Sequence, residues 1–104
     1  AGGQRHAEGD ALRILGEVYT RTNPAQAGEA EAAYREALGI AEQIGTRPLA
    51  ARCHLGLGML YRATGQPESA QRHLATAATM FRDMNMRSWL EQAGSNGRRF
   101  AVIA

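Results

Sequence analysis

The sequence predicts an all-α fold made of helical hairpins, and three observations carry that expectation. Apolar residues recur at helical spacing along most of the 104-residue chain, Gly and Pro punctuate them at regular intervals, and one pattern occurs twice. The composition agrees. The hydrophobic share is 44%, but alanine dominates it and aromatics are only 6%, which suits helices in close approach. Val and Ile, the residues a sheet would need, are few.

The first helix is expected from about residue 5 to 21, with Ala11, Leu12, Leu15, Val18 and Tyr19 as one apolar stripe. Thr22-Asn23-Pro24 ends it and starts the next, since Asn can cap a helix and Pro suits a first turn. The second carries Ala30, Ala33, Tyr34, Ala37, Leu38, Ala41 and Ile44, and Gly45 offers the left-handed residue that closes many helices. Thr46-Arg47-Pro48 opens the third, with Leu49, Ala50, Cys53, Leu57, Leu60 and Tyr61 on its apolar face and Gly65 at its close. Gln66-Pro67-Glu68 opens the fourth, with Pro in the first turn and an acid where the helix dipole favours one. Ala70, Leu74, Ala77, Ala78, Phe81 and Met84 follow, and Asn85 stands where Gly45 stood before. A fifth helix is expected near Arg87, with Trp89, Leu90 and Ala93; beyond it the breakers Gly94-Ser95-Asn96-Gly97 precede an apolar tail from Phe100 to Ala104.

The repeat is the strongest signal. Leu15-Gly16-Glu17-Val18-Tyr19 and Leu57-Gly58-Met59-Leu60-Tyr61 share the pattern Leu-Gly-x-apolar-Tyr at an offset of 42 residues. Ala30, Tyr34 and Ala37 match Ala70, Leu74 and Ala77 at an offset of 40, and the two-residue difference falls in the turns. Gly16 and Gly58 remove a side chain where the two helices of a hairpin meet, as Ala30 and Ala70 do on the opposing helix. Tyr19 and Tyr61 are expected to fill the space beside the turn.

These residues resemble the tetratricopeptide repeat family, with Leu57, Gly58, Tyr61, Gly65, Ala70 and Ala77 in one copy and Leu15, Gly16, Tyr19, Ala30, Tyr34 and Ala37 in the other. The period exceeds the family's usual length of about 34 residues, and Leu12 and His54 stand where an early Trp is usual. The expected organisation is one domain over residues 1–104: repeat 1 at about 5–45, repeat 2 at about 46–85, a terminal helix and tail at about 86–104. His54 to Ala93 is also similar to the terminal repeats of large bacterial signalling proteins of the nucleotide-cyclase or regulator type. Ala1-Gly2-Gly3 reads as a cut edge, so a longer parent chain is expected.

The resemblance implies a concave groove lined by the first helix of each hairpin. By spacing, Asp10, Arg13, Glu17 and Thr20 face it from the first hairpin, with Arg21 at the rim, and Arg52, Leu55, Met59 and Arg62 face it from the second. Arginines can grip carboxylates bidentately, so an acidic or amphipathic peptide or protein is the expected partner. The alternative is a charged, solvated helix face. The Lys-and-Asn pattern with which some family members clamp a peptide's C-terminal carboxylate is missing, so that ligand is not expected. The Met-rich close, with Met84, Met86, Trp89, Leu90 and Phe100, is core packing on the plain reading and a homodimer face on the functional one.

Several functions are disfavoured. All twelve basic residues are Arg, the formal charge is only +2, and acids are interspersed with them, so no nucleic-acid partner is expected. No window approaches the roughly 18 apolar residues of a membrane span, and no signal peptide is recognisable. A single cysteine, Cys53, excludes an internal disulfide and fits a reducing, cytoplasmic setting. Cys53 and His54 diverge by about 100° on a helix and would chelate poorly even with His73, so no metal is expected. His6 is expected to be exposed. Ser69, Ser88 and Ser95 lack a His and acid at a recognisable spacing, and Gly56 and Gly58 lie within a helix rather than a phosphate loop. Glu29, Glu31 and Glu36 read as solubilising. The chain therefore reads as non-catalytic, without cofactor.

Overall fold

The computed structural model describes residues 2–22 and 24–85. Four α-helices follow one another: α1 (Gly2–Thr22), α2 (Ala27–Ile44), α3 (Arg47–Ala63) and α4 (Pro67–Asp83), with one turn of 3-10 helix at Pro24–Gln26. The described residues contain no strand. Each helix packs on the next, and α1 also touches α3, so the first helices of the two hairpins lie side by side. The expected fifth helix, with Met86, Trp89, Leu90 and Phe100, lies outside the described residues.

The stops are where backbone chemistry demands them. Gly45 and Gly65 adopt φ of 73° and 76°, a left-handed conformation that costs a residue with a Cβ. The Gly45 N–H donates to the Ala41 carbonyl and closes α2. Asn85 takes the same role after α4 with φ of 57°. Pro48 and Pro67 sit in the first turns of α3 and α4, where their missing N–H leaves no helix bond unmade. Capping departs from expectation at α2, which begins after Gln26 with no side-chain cap; Asn23 lies outside the described residues.

Antiparallel order within the first hairpin follows from its contacts. Arg5 near the start of α1 donates to Gln43 near the end of α2 at 2.6 Å, Gly9 faces Ile40, and Gly16 faces Tyr34. The core runs through three clusters. One joins Ala30 and Tyr34 to Leu57, Leu60, Tyr61 and Ala70. A second joins Ala37 and Ala41 to Leu49, Ala50 and Cys53. The third joins Ala51 and Leu55 to Leu74, Ala77 and Phe81. Phe81, Leu57 and Leu74 are the largest fully enclosed side chains of the whole core, each contributing about 1.5–3 kcal/mol through burial.

The α1 stripe is a correction. Leu12 and Tyr19 are half-buried against the core, but Ala11 is exposed and Leu15 and Val18 stay 40% and 47% exposed, with Ile14 at 46%. The helix instead packs through buried Gly9 and Gly16. The repeat explains why. At the 42-residue offset Ala7, Ala11, Leu15 and Val18 correspond to Leu49, Cys53, Leu57 and Leu60, all buried on α3. On α3 that side is covered by α2, whose residues share two of the core clusters with it. No described helix precedes α1 to do the same.

Candidate functional site: a concave hollow between the first helices

Tyr34 of α2 organises the concave side. Its ring passes between α1 and α3 because both offer glycine there: a Cβ at Gly16 would lie 3.0 Å from Tyr34 Cδ2, and one at Gly56 would lie 2.3 Å from Tyr34 Cε1. Burial pushes the Tyr34 phenol above its ordinary value, with a hydrogen bond to Thr20 pulling the other way. The phenol therefore stays neutral and acts as a fixed polar floor.

Around this floor lies a hollow of about 160 Å³, lined by Arg13, Glu17, Thr20, Arg21, Tyr34, Arg52, Leu55, Gly56 and Met59. Drug-sized and cofactor sites occupy roughly 300–1,000 Å³, so this one is the size of a side chain. Its charge is organised along α1. Arg13 holds Asp10 at 3.0 Å and Glu17 at 3.5 Å, and Arg21 reaches the other oxygen of Glu17 at 2.8 Å. Three arginines against one glutamate leave the lining positive. Arg21 is 74% exposed along its side chain, so its ion pair is solvent-screened and leaves the guanidinium available to exchange partners.

The structure thus brings seven of the nine expected groove residues together: Arg13, Glu17, Thr20, Arg21, Arg52, Leu55 and Met59. Leu55 is only 3% exposed and belongs mainly to the core with Leu74 and Phe81, so it supplies a wall rather than a free contact. Arg62 does not line the hollow, and Asp10 acts on it only through Arg13. Of the expected self-association residues only Met84 is described, and it is half-buried against the Ala51, Leu55 and Phe81 cluster. Tyr34 and Gly56 are the site residues that sequence reasoning did not place in the groove. The signal was present, as a bulky Tyr34 with glycines at compatible positions on two neighbouring helices.

Two other expectations need correcting. Glu31 is not merely solubilising, because it accepts a hydrogen bond from the Tyr61 hydroxyl while Arg35 donates to that hydroxyl at 2.5 Å and to Glu31 at 3.3 Å. The Tyr61 hydroxyl, followed by Arg35, holds the Glu31 carboxyl below its ordinary value. Tyr61 therefore fills space in the core near the end of α3, as expected, and its hydroxyl also ties α3 to α2. The histidines, expected only to be poor metal ligands, in fact pair: His54 and His73 meet across α3 and α4 with their Nδ1 atoms 3.0 Å apart. Cys53 is buried, its thiol pushed up to about 12 by desolvation, which makes it inert as a nucleophile or ligand. Among the described residues no group of three or more His, Cys, Asp or Glu could hold a metal ion, and no helix is long and apolar enough to cross a membrane.

Paired antiparallel helices stacked as near-copies, with a concave face built from the first helix of each pair, define an α-helical repeat protein. A family model described as tetratricopeptide repeat matches residues 25–83, more than half of the chain, and the protein belongs to the tetratricopeptide repeat family. Such repeats generally mediate protein–protein interaction and typically act without catalysis. No curated protein matches the chain, and no solved structure does.

Proposed function

We propose that the chain is a non-catalytic docking module that takes an acidic or amphipathic peptide segment of a protein partner on its concave face, as part of a larger bacterial signalling or regulatory protein in the cytoplasm. The observation that carries the reading is the pairing of arginines with an apolar wall in one hollow: Arg13, Arg21 and Arg52 beside Tyr34, Leu55 and Met59. Carboxylates of the partner exchange into the Arg21 and Arg52 positions, where a guanidinium makes bidentate contacts. One apolar side chain of the partner fills the space above Met59. The bacterial signalling context rests on the similarity of the stretch from His54 to Ala93 to the terminal repeats of such proteins.

The test is panning of a displayed random-peptide library against the 104-residue chain and against Arg21→Glu with Arg52→Gln. Acidic, amphipathic peptides are expected to be enriched by the wild type and lost on the double variant, with helical circular dichroism unchanged. Equal recovery on both proteins would remove the hollow as the site.

A second reading is self-association through an open helical end, favoured by the exposed Ile14, Leu15 and Val18 of α1. The equivalent stripe on α3 is covered by a helix, so a second copy can cover this one in the same way. Light scattering across concentration separates the readings. A dimer that Leu15→Glu dissociates supports self-association, and a monomer at all concentrations removes it.

A further inference from the structure

His54 on α3 and His73 on α4 form a pair whose geometry neither the fold nor the docking reading requires. The Nδ1 atoms are 3.0 Å apart, the ring centres 5.3 Å apart and the planes 26° from parallel. The separation of the centres is close to the nitrogen gap plus one ring radius at each end, so the rings meet edge to edge along the nitrogens. That is hydrogen-bond geometry, with one Nδ1 donating and the other accepting. It does not suit a shared metal, because two nitrogens facing each other across an ion need about 4 Å between them at Zn–N distances of about 2.0–2.1 Å.

A hydrogen bond between two Nδ1 atoms fixes the proton inventory. One ring must carry Nδ1–H, and the other must keep its Nδ1 lone pair free and carry its proton on Nε2. Adding one proton to the outer nitrogen of the donor ring leaves this bond intact and charge-assisted. A second proton must go on the accepting Nδ1, and two N–H groups then point at each other between two cations. We infer that His54 and His73 are a shared-proton latch between α3 and α4 that opens on the second protonation, making the second hairpin acid-sensitive.

The surroundings bear on that second proton from every packed element. From α2, Glu42 favours a charged His54, and at His73 Arg35 opposes a charge while Glu31 favours it. From α4, Arg72 opposes a charge on His73, and from α3 the Tyr61 ring lies 5.4 Å from it, centre to centre. Burial is the largest influence on both rings and holds both below the ordinary histidine value, with His54 adding to the effect at His73. Protons reach the pair because His54 lines a shallow hollow with Leu38, Glu42, Ala50 and Met80 on another side of α3.

Long-range 1H–15N correlation spectra of the 104-residue chain at about pH 7.5, well above the pH of the second protonation, read the tautomers directly. One of the two rings is expected as the Nδ1–H form and the other as Nε2–H. Both rings as Nε2–H would overturn the latch, and this reading needs no variant. In His54→Asn, which keeps a polar atom where Nδ1 was but does not titrate, the His73 midpoint is expected to lie above the second, more acidic midpoint of the wild-type pair. The drop in urea midpoint between about pH 7.5 and about pH 5.5 is expected to shrink in the same variant. An unmoved His73 midpoint with an undiminished drop would also overturn it.

Discussion

The ring of Tyr34 lies so close to Gly56 that a single added carbon at residue 56 would sit 2.3 Å from Tyr34 Cε1. A helix in this chain therefore accepts a glycine, with its backbone penalty, so that a buried tyrosine from its neighbour can lie beneath the concave surface. The same ring meets Gly16 on the other side, so one aromatic residue spaces both first helices.

Gly56→Ala is expected to destabilise the chain by about 1–3 kcal/mol through overpacking, after the roughly 0.5–1 kcal/mol that Ala gains over Gly within a helix has been offset. Gly39→Ala on α2 is the control, since nothing lies within 4 Å of its added carbon. It should stabilise by about 0.4–1 kcal/mol. Urea unfolding of both variants checks the contrast in sign.

Phe81 closes the core of the second hairpin and is fully enclosed with Leu74 and Ala77. Phe81→Ala should cost about 3–5 kcal/mol, because the cavity adds to the lost transfer energy. Thermal unfolding measures it, and a loss below about 1 kcal/mol would mean that α4 does not pack as described.

Tyr61→Phe removes the hydroxyl that holds the Glu31 carboxyl down. Glu31 should then titrate at higher pH, read from the carboxyl 13C shift. A carboxylate depressed on folding contributes stability that is present above its unfolded value, near 4.5, and is lost as the pH falls through its folded value. The acid limb of the stability curve should accordingly be shallower in the variant. Glu31 is partly solvent-exposed, so the change is modest.

Cys53 should resist thiol reagents at pH 8, because a thiol pushed up to about 12 and buried presents almost no thiolate. Modification is expected only at the rate of unfolding, and it should accelerate with urea. Rapid labelling of the native chain would contradict its place in the core.

Much of this molecule was legible from residue types alone. Gly45, Gly65 and Asn85 mark helix ends because few other residues tolerate positive φ, and Pro48 and Pro67 mark helix starts because of the N–H they lack. The groove residues on α1 and α3 were reachable because a helical period puts Arg13, Glu17 and Arg52, Met59 on corresponding sides. Periodicity failed on α1 for a physical reason. A repeat helix carries two packing faces, one for its own hairpin and one for the preceding helix, and the apolar residues Leu15 and Val18 belong to the second. The glycine face, which does the packing here, has no hydrophobicity to detect: the repeat revealed Gly16 but gave no sign of Gly9. The contacts between Tyr61 and Glu31 and between His54 and His73 were invisible for a different reason: each depends on the relative height of two helices, which no one-dimensional spacing encodes.

The most direct test of the docking proposal is an amide chemical-shift titration of the 15N-labelled chain with an acidic, amphipathic peptide recovered by panning. Saturable shifts are expected at Arg13, Thr20, Arg21, Gly56 and Met59, with the outer stripe of α1 and the exposed side of α4 unmoved. Shifts confined to Ile14, Leu15 and Val18, or to residues of α4, would contradict it.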